Sequence, residues 1–232
     1  MAPKAALTDT GAALARLARD LEAVGARWAL VGGLAVSARA EPRFTRDVDV
    51  AVQVASDEEA EELLWKLQQR GYAVGTVLEH EKLRRLATAR LTWRGDGKEP
   101  TVLDILFASS GIEPAIVASA APLEVLPGVR LPVARVGHLV AMKLLAQNDR
   151  SRPQDADDLR ALLAVASPAE LRRAREALRE IQSLGAHRGK RLLVAMDRLM
   201  EEVAAGKERS RRRTASPARS TTLRTKAKRS GR

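Results

Sequence analysis

The sequence contains no cysteine among its 232 residues, and this absence limits the chemistry that the chain can carry. Disulfide bonds and thiolate zinc sites are excluded, so any bound metal ion has to use oxygen or imidazole ligands. Imidazole is scarce as well, because the three histidines, His80, His138 and His187, form no spaced pair typical of a metal site or a nucleophilic triad. A chain without cysteine fits a reducing compartment.

Long apolar segments are also absent. No window approaches the roughly 18 apolar residues of a membrane-spanning helix, and the first 20 residues lack an uninterrupted apolar core before their arginines. We therefore expect neither export nor membrane insertion, and the expected location is the cytoplasm.

Aromatic residues make up 3% of the chain, whereas 45% of it is hydrophobic and rich in leucine, alanine and valine. This composition is typical of a globular protein in which helix outweighs strand, so we expect an α/β or α+β fold. The length lies between the usual sizes of one and two domains.

The formal net charge of +11 is concentrated at the C-terminal end. Residues 207–232 contain eleven Lys and Arg and one acid, Glu208, so the rest of the chain carries a charge of only +1. This basic tail has one leucine and no aromatic residue, and we expect it to be disordered when alone. It is either a nucleic-acid-binding arm or a solubilising end, and its composition does not separate these two interpretations.

The pattern of apolar residues predicts strands and helices in the first half of the chain and helices in the second. One helix is predicted before Gly25 and a second between Ser56 and Gly71, with Ser56 and Glu59 as a capping box. Strands are predicted at 27–31 and on both sides of the Gly-Asp-Gly at 95–97, and short strands at 123–133. The later helices are predicted at 136–147, 153–166, 168–184 and 188–205.

Three aspartates interrupt predicted apolar strands. Asp47 and Asp49 alternate with valines, so they share one face of a strand about 7 Å apart, and Asp104 lies inside another strand. If the two strands are neighbours, three carboxylates meet and repel each other unless a cation joins them. Mg²⁺ prefers oxygen ligands and completes its coordination with water and substrate phosphates. We therefore predict a magnesium site at Asp47, Asp49 and Asp104.

Two glycines precede these acids. Gly32 and Gly33 follow the strand at 27–31 and open a helical segment, which lets a polyanion approach the N–H groups of a helix N-terminus. Arg43 and Thr45 add hydrogen-bond donors. A glycine pair alone is more often a simple turn, but combined with the acids it predicts a phosphate-binding loop beside a metal site.

The combination of Gly32-Gly33, Arg43-x-Thr45-x-Asp47-x-Asp49 and a later Asp104 resembles the polymerase-β-type nucleotidyltransferases, and in particular the AbiEii/AbiGii toxin-like group. The segment HLVAMKLLAQNDRSRPQDADDLRALL is similar to a downstream pattern of that group, in which Lys143, Asp155 and Asp158 match. The resemblance covers about residues 21–163. Many relatives have Gly-Ser where this chain has Gly-Gly, so one hydroxyl of the phosphate loop is missing.

The resemblance implies a nucleotidyltransferase fold, with a small mixed sheet flanked by helices in residues 1–132, a helical domain in 133–206 and the tail in 207–232. It implies an NTP as substrate and two Mg²⁺ ions held by Asp47, Asp49 and Asp104, with Asp104 also deprotonating the attacking hydroxyl. Lys143 would offset triphosphate charge, and Asp155 or Asp158 would orient that lysine or the acceptor.

The toxin-like group further implies an RNA acceptor, with the 3′ end of tRNA as the leading candidate, and an antitoxin protein as a possible partner. Two other functions stay open at this point: a non-catalytic nucleic-acid-binding module with a degenerate transferase fold, and an adenylyltransferase that modifies a small molecule such as an antibiotic. The residues themselves also allow simpler interpretations, since Lys143 could extend from an amphipathic helix to solvent and Asp155 and Asp158 could complement a helix dipole.

Overall fold

A computed structural model describes residues 9–95, 99–147 and 154–214, with the backbone alone for 206–214. The helices in these ranges are α1 (Asp9–Ala23), α2 (Gly32–Arg39), α3 (Asp57–Gln68), α4 (Glu113–Ser119), α5 (Val136–Ala146), α6 (Gln154–Val165), α7 (Pro168–Ser183) and α8 (Leu192–Thr214). The strands are β1 (Arg27–Val31), β2 (Val48–Gln53), β3 (Ala73–His80), β4 (Arg85–Trp93), β5 (Thr101–Leu106), β6 (Ala121–Leu126) and β7 (Val129–Val133).

The strands form one mixed seven-stranded sheet in the order β3-β4-β5-β2-β1-β7-β6. Strands β2 and β5 run parallel to each other, as do β1 and β7, whereas the other neighbouring pairs are antiparallel. The central strands are apolar because both faces of the sheet are covered, and Val48, Val50, Leu103 and Ile105 are fully buried. The α/β (α+β) fold class predicted from the sequence, a mixed sheet flanked by helices, is confirmed.

Local sequence signals account for the helix ends. Ser56 accepts a hydrogen bond from the backbone N–H of Glu59, and Ser167 accepts one from the backbone N–H of Glu170, as expected for N-caps. Gly25 and Gly71 follow α1 and α3 with φ angles of 72° and 91°, the left-handed conformation that glycine adopts at helix ends.

The helices α5 to α8 pack together beside the sheet, and α2 contacts both α5 and α6. Helix α5 approaches α7 closely, because a Cβ atom added at Gly137 would lie 2.4 Å from the carbonyl oxygen of Glu170. The Glu170 carboxylate accepts a 2.7 Å hydrogen bond from the Gly137 N–H and so satisfies a free donor at the start of α5. The short helix α2 therefore connects the sheet to the helical part of the molecule.

Two elements were not predicted from the sequence, and one extends further than expected. Strand β3 and helix α4 are absent from the sequence-based prediction, and α8 continues to Thr214 although the tail was expected to begin at residue 207. Residues 207–214 contain neither proline nor glycine, the two residue types that interrupt a helix most strongly. The predictions for the rest of the tail, for Asp96 and Gly97 and for residues 148–153 lie outside the described residues.

Within the described ranges, no helix combines the length and the apolar content needed to cross a membrane.

His138 in α5 gives the fold a pH-dependent contribution to stability. The imidazole is buried with Nδ1 3.2 Å from the Ser119 hydroxyl, and burial, with repulsion from Arg173, lowers the pKa of His138 to about 4. An unfolded chain protonates this histidine near its ordinary pKa of about 6.5, so stability falls as the pH falls through that value. We expect a loss of about 2 kcal/mol in the free energy of unfolding between about pH 7.5 and pH 5.

Urea unfolding of the wild type and of His138→Gln at both pH values measures this contribution, because the variant lacks the titrating group. A difference between the two proteins that stays constant with pH would show that His138 does not carry the effect.

Candidate active site

The three aspartates converge at one end of strands β2 and β5. The parallel register sets Asp49 of β2 directly beside Asp104 of β5, and Asp47 lies one residue before β2. The Asp104 side chain is 14% exposed, whereas Asp47 faces solvent. The convergence of Asp104 with the Asp47/Asp49 pair, on which the sequence-based prediction depended, is thus present in the fold.

Asp49 has the most unusual electrostatic environment of this group. Burial of its carboxyl group, together with repulsion from Asp104 and Asp47, raises the pKa of Asp49 to about 6. Lys143 and the backbone N–H of Gly33 act in the opposite direction, since both favour the ionised carboxylate. Asp49 is therefore a concentrated negative charge that lacks a sufficient counter-charge, which is the condition a bound cation relieves.

Gly32 makes this position of Asp49 possible. The φ angle of Gly32 is +64°, a backbone conformation that residues other than glycine rarely adopt. A Cβ atom added there would lie 1.9 Å from Oδ2 of Asp49. Helix α2 begins at this residue, so the helix N-terminus is directed toward the carboxylate.

We expect Gly32→Ala to lower the rate of nucleotidyl transfer about 10²-fold, because the new methyl group displaces Asp49 by an ångström or more. Gly25→Ala is the matched control, since Gly25 has a similar φ of +72° and no atom within 4 Å of the added Cβ. Both variants lose about 1 kcal/mol of stability to backbone strain, and steady-state kinetics separates them. Equal activity of the two variants would contradict this role of Gly32.

Gly33 lies under the side chains of Arg43 and Thr45. A Cβ atom at Gly33 would come within 2.7 Å of Arg43 Nη2 and 2.9 Å of Thr45 Oγ1. The space that a serine would fill in relatives with Gly-Ser is thus taken here by a guanidinium group and a hydroxyl. Both groups are donors, so the loop keeps hydrogen-bonding capacity for phosphate although Gly33 has no side chain.

A network of ion pairs connects this loop to the helical part of the protein. Arg43 donates from Nε and Nη2 to the two carboxylate oxygens of Asp158, at 2.6 and 2.9 Å. Lys143 of α5 contacts Asp155 at 2.8 Å and Asp158 at 2.7 Å. The carboxylates of α6 therefore pair with two cations of the site, Arg43 and Lys143. The role that the resemblance implied, in which Asp155 or Asp158 orients Lys143 or the acceptor, stays a prediction.

Burial sets the strength of this network. Asp155 and Asp158 are 4% and 2% exposed, and Asp155 Oδ2 is buried without a hydrogen-bond partner among the described residues. Buried charges of this kind are stable only when paired, so removal of one member leaves the others uncompensated.

Arg90 belongs to the site but was not identified from the sequence. It lies opposite Asp104 in the antiparallel pair of β4 and β5, and its guanidinium donates to both Asp104 oxygens, at 2.8 and 2.7 Å. This contact raises the pKa of Arg90, and the negative charges of Asp47 and Asp49 raise it further. The arginine stands between apolar residues of β4, but its position opposite Asp104 depends on a strand register that the sequence does not reveal.

Two cavities meet at these residues. The first has a volume of about 470 Å³ and is lined by Gly33, Arg43, Thr45, Asp47, Asp49, Arg90, Asp104, Lys143, Gln154 and Asp155. The second, of about 310 Å³, shares Asp49, Arg90, Asp104 and Lys143 with the first and extends past Gly32 to the apolar residues Leu78, Leu106, Leu139 and Met142. Of the ten residues predicted from the sequence, Asp158 alone lines neither of these two cavities, because it lies behind Arg43 and Lys143.

The acidic residues fit a divalent cation in part. Among residues 9–95, 99–147 and 154–214, no group of three or more His, Asp or Glu side chains is arranged to hold a metal ion. Asp104, one of the three predicted ligands, is paired with the cation Arg90 instead. Asp49, which carries uncompensated charge, and the exposed Asp47 are oxygen donors of the kind that Mg²⁺ prefers.

Solved structures with a similar fold include a nucleotidyltransferase-like protein from Paracoccidioides brasiliensis, which is 18% identical over 77% of this chain and 92% of its own, with a TM-score of 0.50. The lincosamide antibiotic adenylyltransferase LnuA is 15% identical over 69% of this chain and 99% of its own, with a TM-score of 0.44. The antibiotic-resistance factor ANT(2″)-Ia is 19% identical over 86% of this chain and 95% of its own, with a TM-score of 0.42.

The fold is that of nucleotidyltransferase-like proteins. Among curated proteins none is significantly similar in sequence. The family model described as "Nucleotidyl transferase AbiEii toxin, Type IV TA system" matches residues 13–228, and the chain therefore belongs to the AbiEii nucleotidyltransferase family. The resemblance drawn from the glycine pair and the aspartates is confirmed, and membership implies an NTP substrate.

Proposed function

We propose that this enzyme transfers a nucleoside monophosphate from an NTP to an acceptor hydroxyl in a Mg²⁺-dependent reaction. The observation that carries the proposal is the pairing of Asp49 with Asp104 across β2 and β5, beside the glycine start of α2. The first cavity is lined by the donors Arg43, Thr45 and Lys143 as well as by aspartates, so it suits a triphosphate that binds together with a cation.

Each residue has a part in this reaction. Arg43, Thr45 and the N–H groups at the start of α2 would bind phosphate oxygens, and Lys143 would offset negative charge on the leaving pyrophosphate. Asp104 would accept the proton of the attacking hydroxyl, whose oxygen bonds to the α-phosphorus as the bond to pyrophosphate breaks. Mg²⁺, held by Asp47 and Asp49 with Asp104, would supply charge stabilisation on the attacking and leaving oxygens, and two ions are expected.

The acceptor we propose is RNA, with the 3′ end of tRNA first, and the biological setting is a toxin-antitoxin or phage-defence system. Membership of the AbiEii toxin family supports the toxin-antitoxin setting and suggests an antitoxin protein as partner. The need for an NTP supports the cytoplasm as the location. The complete set of acids argues against a degenerate, non-catalytic nucleic-acid-binding module.

The test supplies each α-labelled NTP with Mg²⁺ to the full chain, together with total bacterial RNA or a panel of small molecules that includes antibiotics. We expect label in RNA with the wild type and none with Asp47→Asn. Label confined to a small molecule would instead establish the adenylyltransferase alternative. Equal labelling by wild type and Asp47→Asn would contradict the metal role of this aspartate.

Arg90 allows a separate prediction about metal binding. Because its guanidinium pairs with Asp104, a divalent cation has to displace it before Asp104 can act as a ligand. We expect Arg90→Gln to bind Mn²⁺ about fivefold more tightly than the wild type without nucleotide, as measured by electron paramagnetic resonance. Arg85→Gln is the matched control, since Arg85 lies on the same strand and pairs with Asp57 outside the site. Weaker or unchanged Mn²⁺ binding by Arg90→Gln would contradict the competition.

A further inference from the structure

The second cavity adjoins the first at Asp49, Arg90, Asp104 and Lys143 and continues to residues that the first lacks. Its floor is formed by Val31 and Gly32, and its walls come from β3, β4, the residues after β5 and helix α5. Leu78 on the wall is 56% exposed, an unusual position for a large apolar side chain. The cavity is lined by the proposed proton acceptor Asp104 together with apolar residues and Arg188, which is the combination of groups that an acceptor beside Asp104 would meet.

One cation at this cavity, Arg188, is not engaged by the carboxylates of the proposed active site. The acids that line the cavity, Asp49 and Asp104, belong to the proposed metal site. Arg90 pairs with Asp104 and Lys143 pairs with Asp155 and Asp158, whereas Arg188 forms no ion pair with a carboxylate among the described residues. A polycationic acceptor would find no carboxylate here that is not already assigned to the metal. The lining favours an acceptor that combines an apolar or flat group with negative charge.

Arg188 is positioned at the cavity by two features of its surroundings. It is exposed, yet its Nη2 donates to the carbonyl oxygen of Ser109 at 3.0 Å and contacts the Ser109 hydroxyl at 3.2 Å. Its φ angle is +51°, a conformation that costs energy in a residue with a side chain. A strained and tethered arginine beside a cavity is a candidate for ligand contact rather than for general solubility.

Further cations continue from this point toward the C-terminal helix. Arg191 and Arg198 line a neighbouring cavity of about 300 Å³ on the other side of the end of α5, together with Leu144 and Gln147. An acceptor with a single charge would use Arg188 alone, whereas a polynucleotide carries a phosphate for each nucleotide and has further charges for the arginines beyond it.

We propose that the second cavity binds the terminal nucleotide of a nucleic-acid acceptor, and that Arg188 contacts the phosphate joining this nucleotide to the preceding one. The terminal hydroxyl lies toward Asp104, and the base packs against the aliphatic side chains of Leu78 and Met142. This inference rests on the proposed function, because it gives the acceptor of that same site its chemical class and its point of contact.

The test compares full-length Arg188→Gln and Arg188→Lys with the wild type, using a fluorescent single-stranded RNA with a free 3′-hydroxyl. Arg19→Gln on α1 is the matched control, because Arg19 is an exposed arginine that lines none of these cavities. Fluorescence anisotropy at several salt concentrations measures RNA affinity, a nucleotide analogue measures NTP affinity, and circular dichroism confirms folding.

We expect Arg188→Gln to bind RNA about tenfold more weakly, with a salt slope smaller by about 0.7, while NTP affinity is unchanged. Arg188→Lys should recover most of the salt slope because it restores the charge. RNA binding by Arg188→Gln equal to that of Arg19→Gln would overturn the proposal.

The same experiment separates this inference from the proposed function. If wild-type enzyme labels RNA but Arg188→Gln binds it normally, the proposed function stands and the contact at Arg188 is wrong. If RNA binding depends on Arg188 but no NTP label is transferred to any acceptor, the contact stands and the transfer reaction fails. Labelling of a polycationic aminoglycoside in preference to RNA would overturn the assigned acceptor class.

Discussion

Asp49→Asn is expected to lower nucleotidyl transfer by at least about 10³-fold while making the protein more stable. The loss of activity follows from removal of the half-buried carboxylate at the centre of the proposed metal site. The gain in stability follows from the same charge, because burial and the neighbouring aspartates oppose ionisation and raise the pKa of Asp49 to about 6. Ionised Asp49 therefore costs folding free energy above that pH.

The stability difference has a defined pH dependence. Relative to the wild type, the asparagine variant should be more stable by about 1–3 kcal/mol at pH 8 without metal, because the wild-type carboxylate is ionised in both folded and unfolded states. The difference should shrink as the pH falls through about 6 toward 4, where the folded state already holds the proton. Thermal unfolding at several pH values measures it, with Asp47→Asn as a control whose exposed carboxylate should change stability little.

An Asp49→Asn protein that is less stable than the wild type at pH 8 would show that nearby positive groups fully compensate the negative charge of Asp49. Retention of transfer activity by this variant would remove Asp49 from the reaction.

Asp158→Asn is expected to destabilise the folded protein by about 3 kcal/mol. The Asp158 carboxylate accepts two hydrogen bonds from Arg43 and also contacts Lys143. The asparagine variant therefore leaves two positive charges next to the site without this negative partner. Transfer activity should fall as well, because Arg43 and Lys143 lose the group that orients them toward the phosphate loop.

Asp157→Asn provides the control on the same helix. The Asp157 side chain is 80% exposed and pairs on the surface with Arg160, so its replacement should cost less than about 0.5 kcal/mol. Urea unfolding compares the two variants at one pH. Equal stability of Asp157→Asn and Asp158→Asn would contradict the proposal that the buried network holds α6 against the loop.

The acidic part of the site could be predicted from the sequence for a simple reason. Side chains alternate along a strand, so Asp47 and Asp49 had to share a face once the valines between them were assigned to the core. The sequence did not show that the strand of Asp104 is a neighbour of theirs, so its place beside them was an assumption. In the structure, the parallel pairing of β2 with β5 brings Asp104 next to Asp49. The alternation of side chains determines which face of a strand a residue occupies, whereas the pairing of strands depends on the whole sheet.

Arg90 and Arg188 show the limit of the same reasoning. Arg90 faces Asp104 only because β4 and β5 pair in one particular register, and Arg188 reaches the second cavity only because the α7–α8 connection packs against Ser109. Neither relationship has a signature in the local sequence, where both are single arginines in an arginine-rich chain. Strand β3 was overlooked for a related reason, since most of its residues are exposed and carry no alternating apolar pattern.

The most direct measurement of the central claim is a crystal structure of the protein with Mn²⁺ and a non-hydrolysable NTP analogue. The account predicts anomalous density for the metal about 2 Å from oxygens of Asp47 and Asp49, triphosphate oxygens at Gly33 and Arg43, and Asp104 turned from Arg90 toward the metal. A nucleotide bound away from the start of α2, or a metal ion with no contact to Asp49, would contradict it.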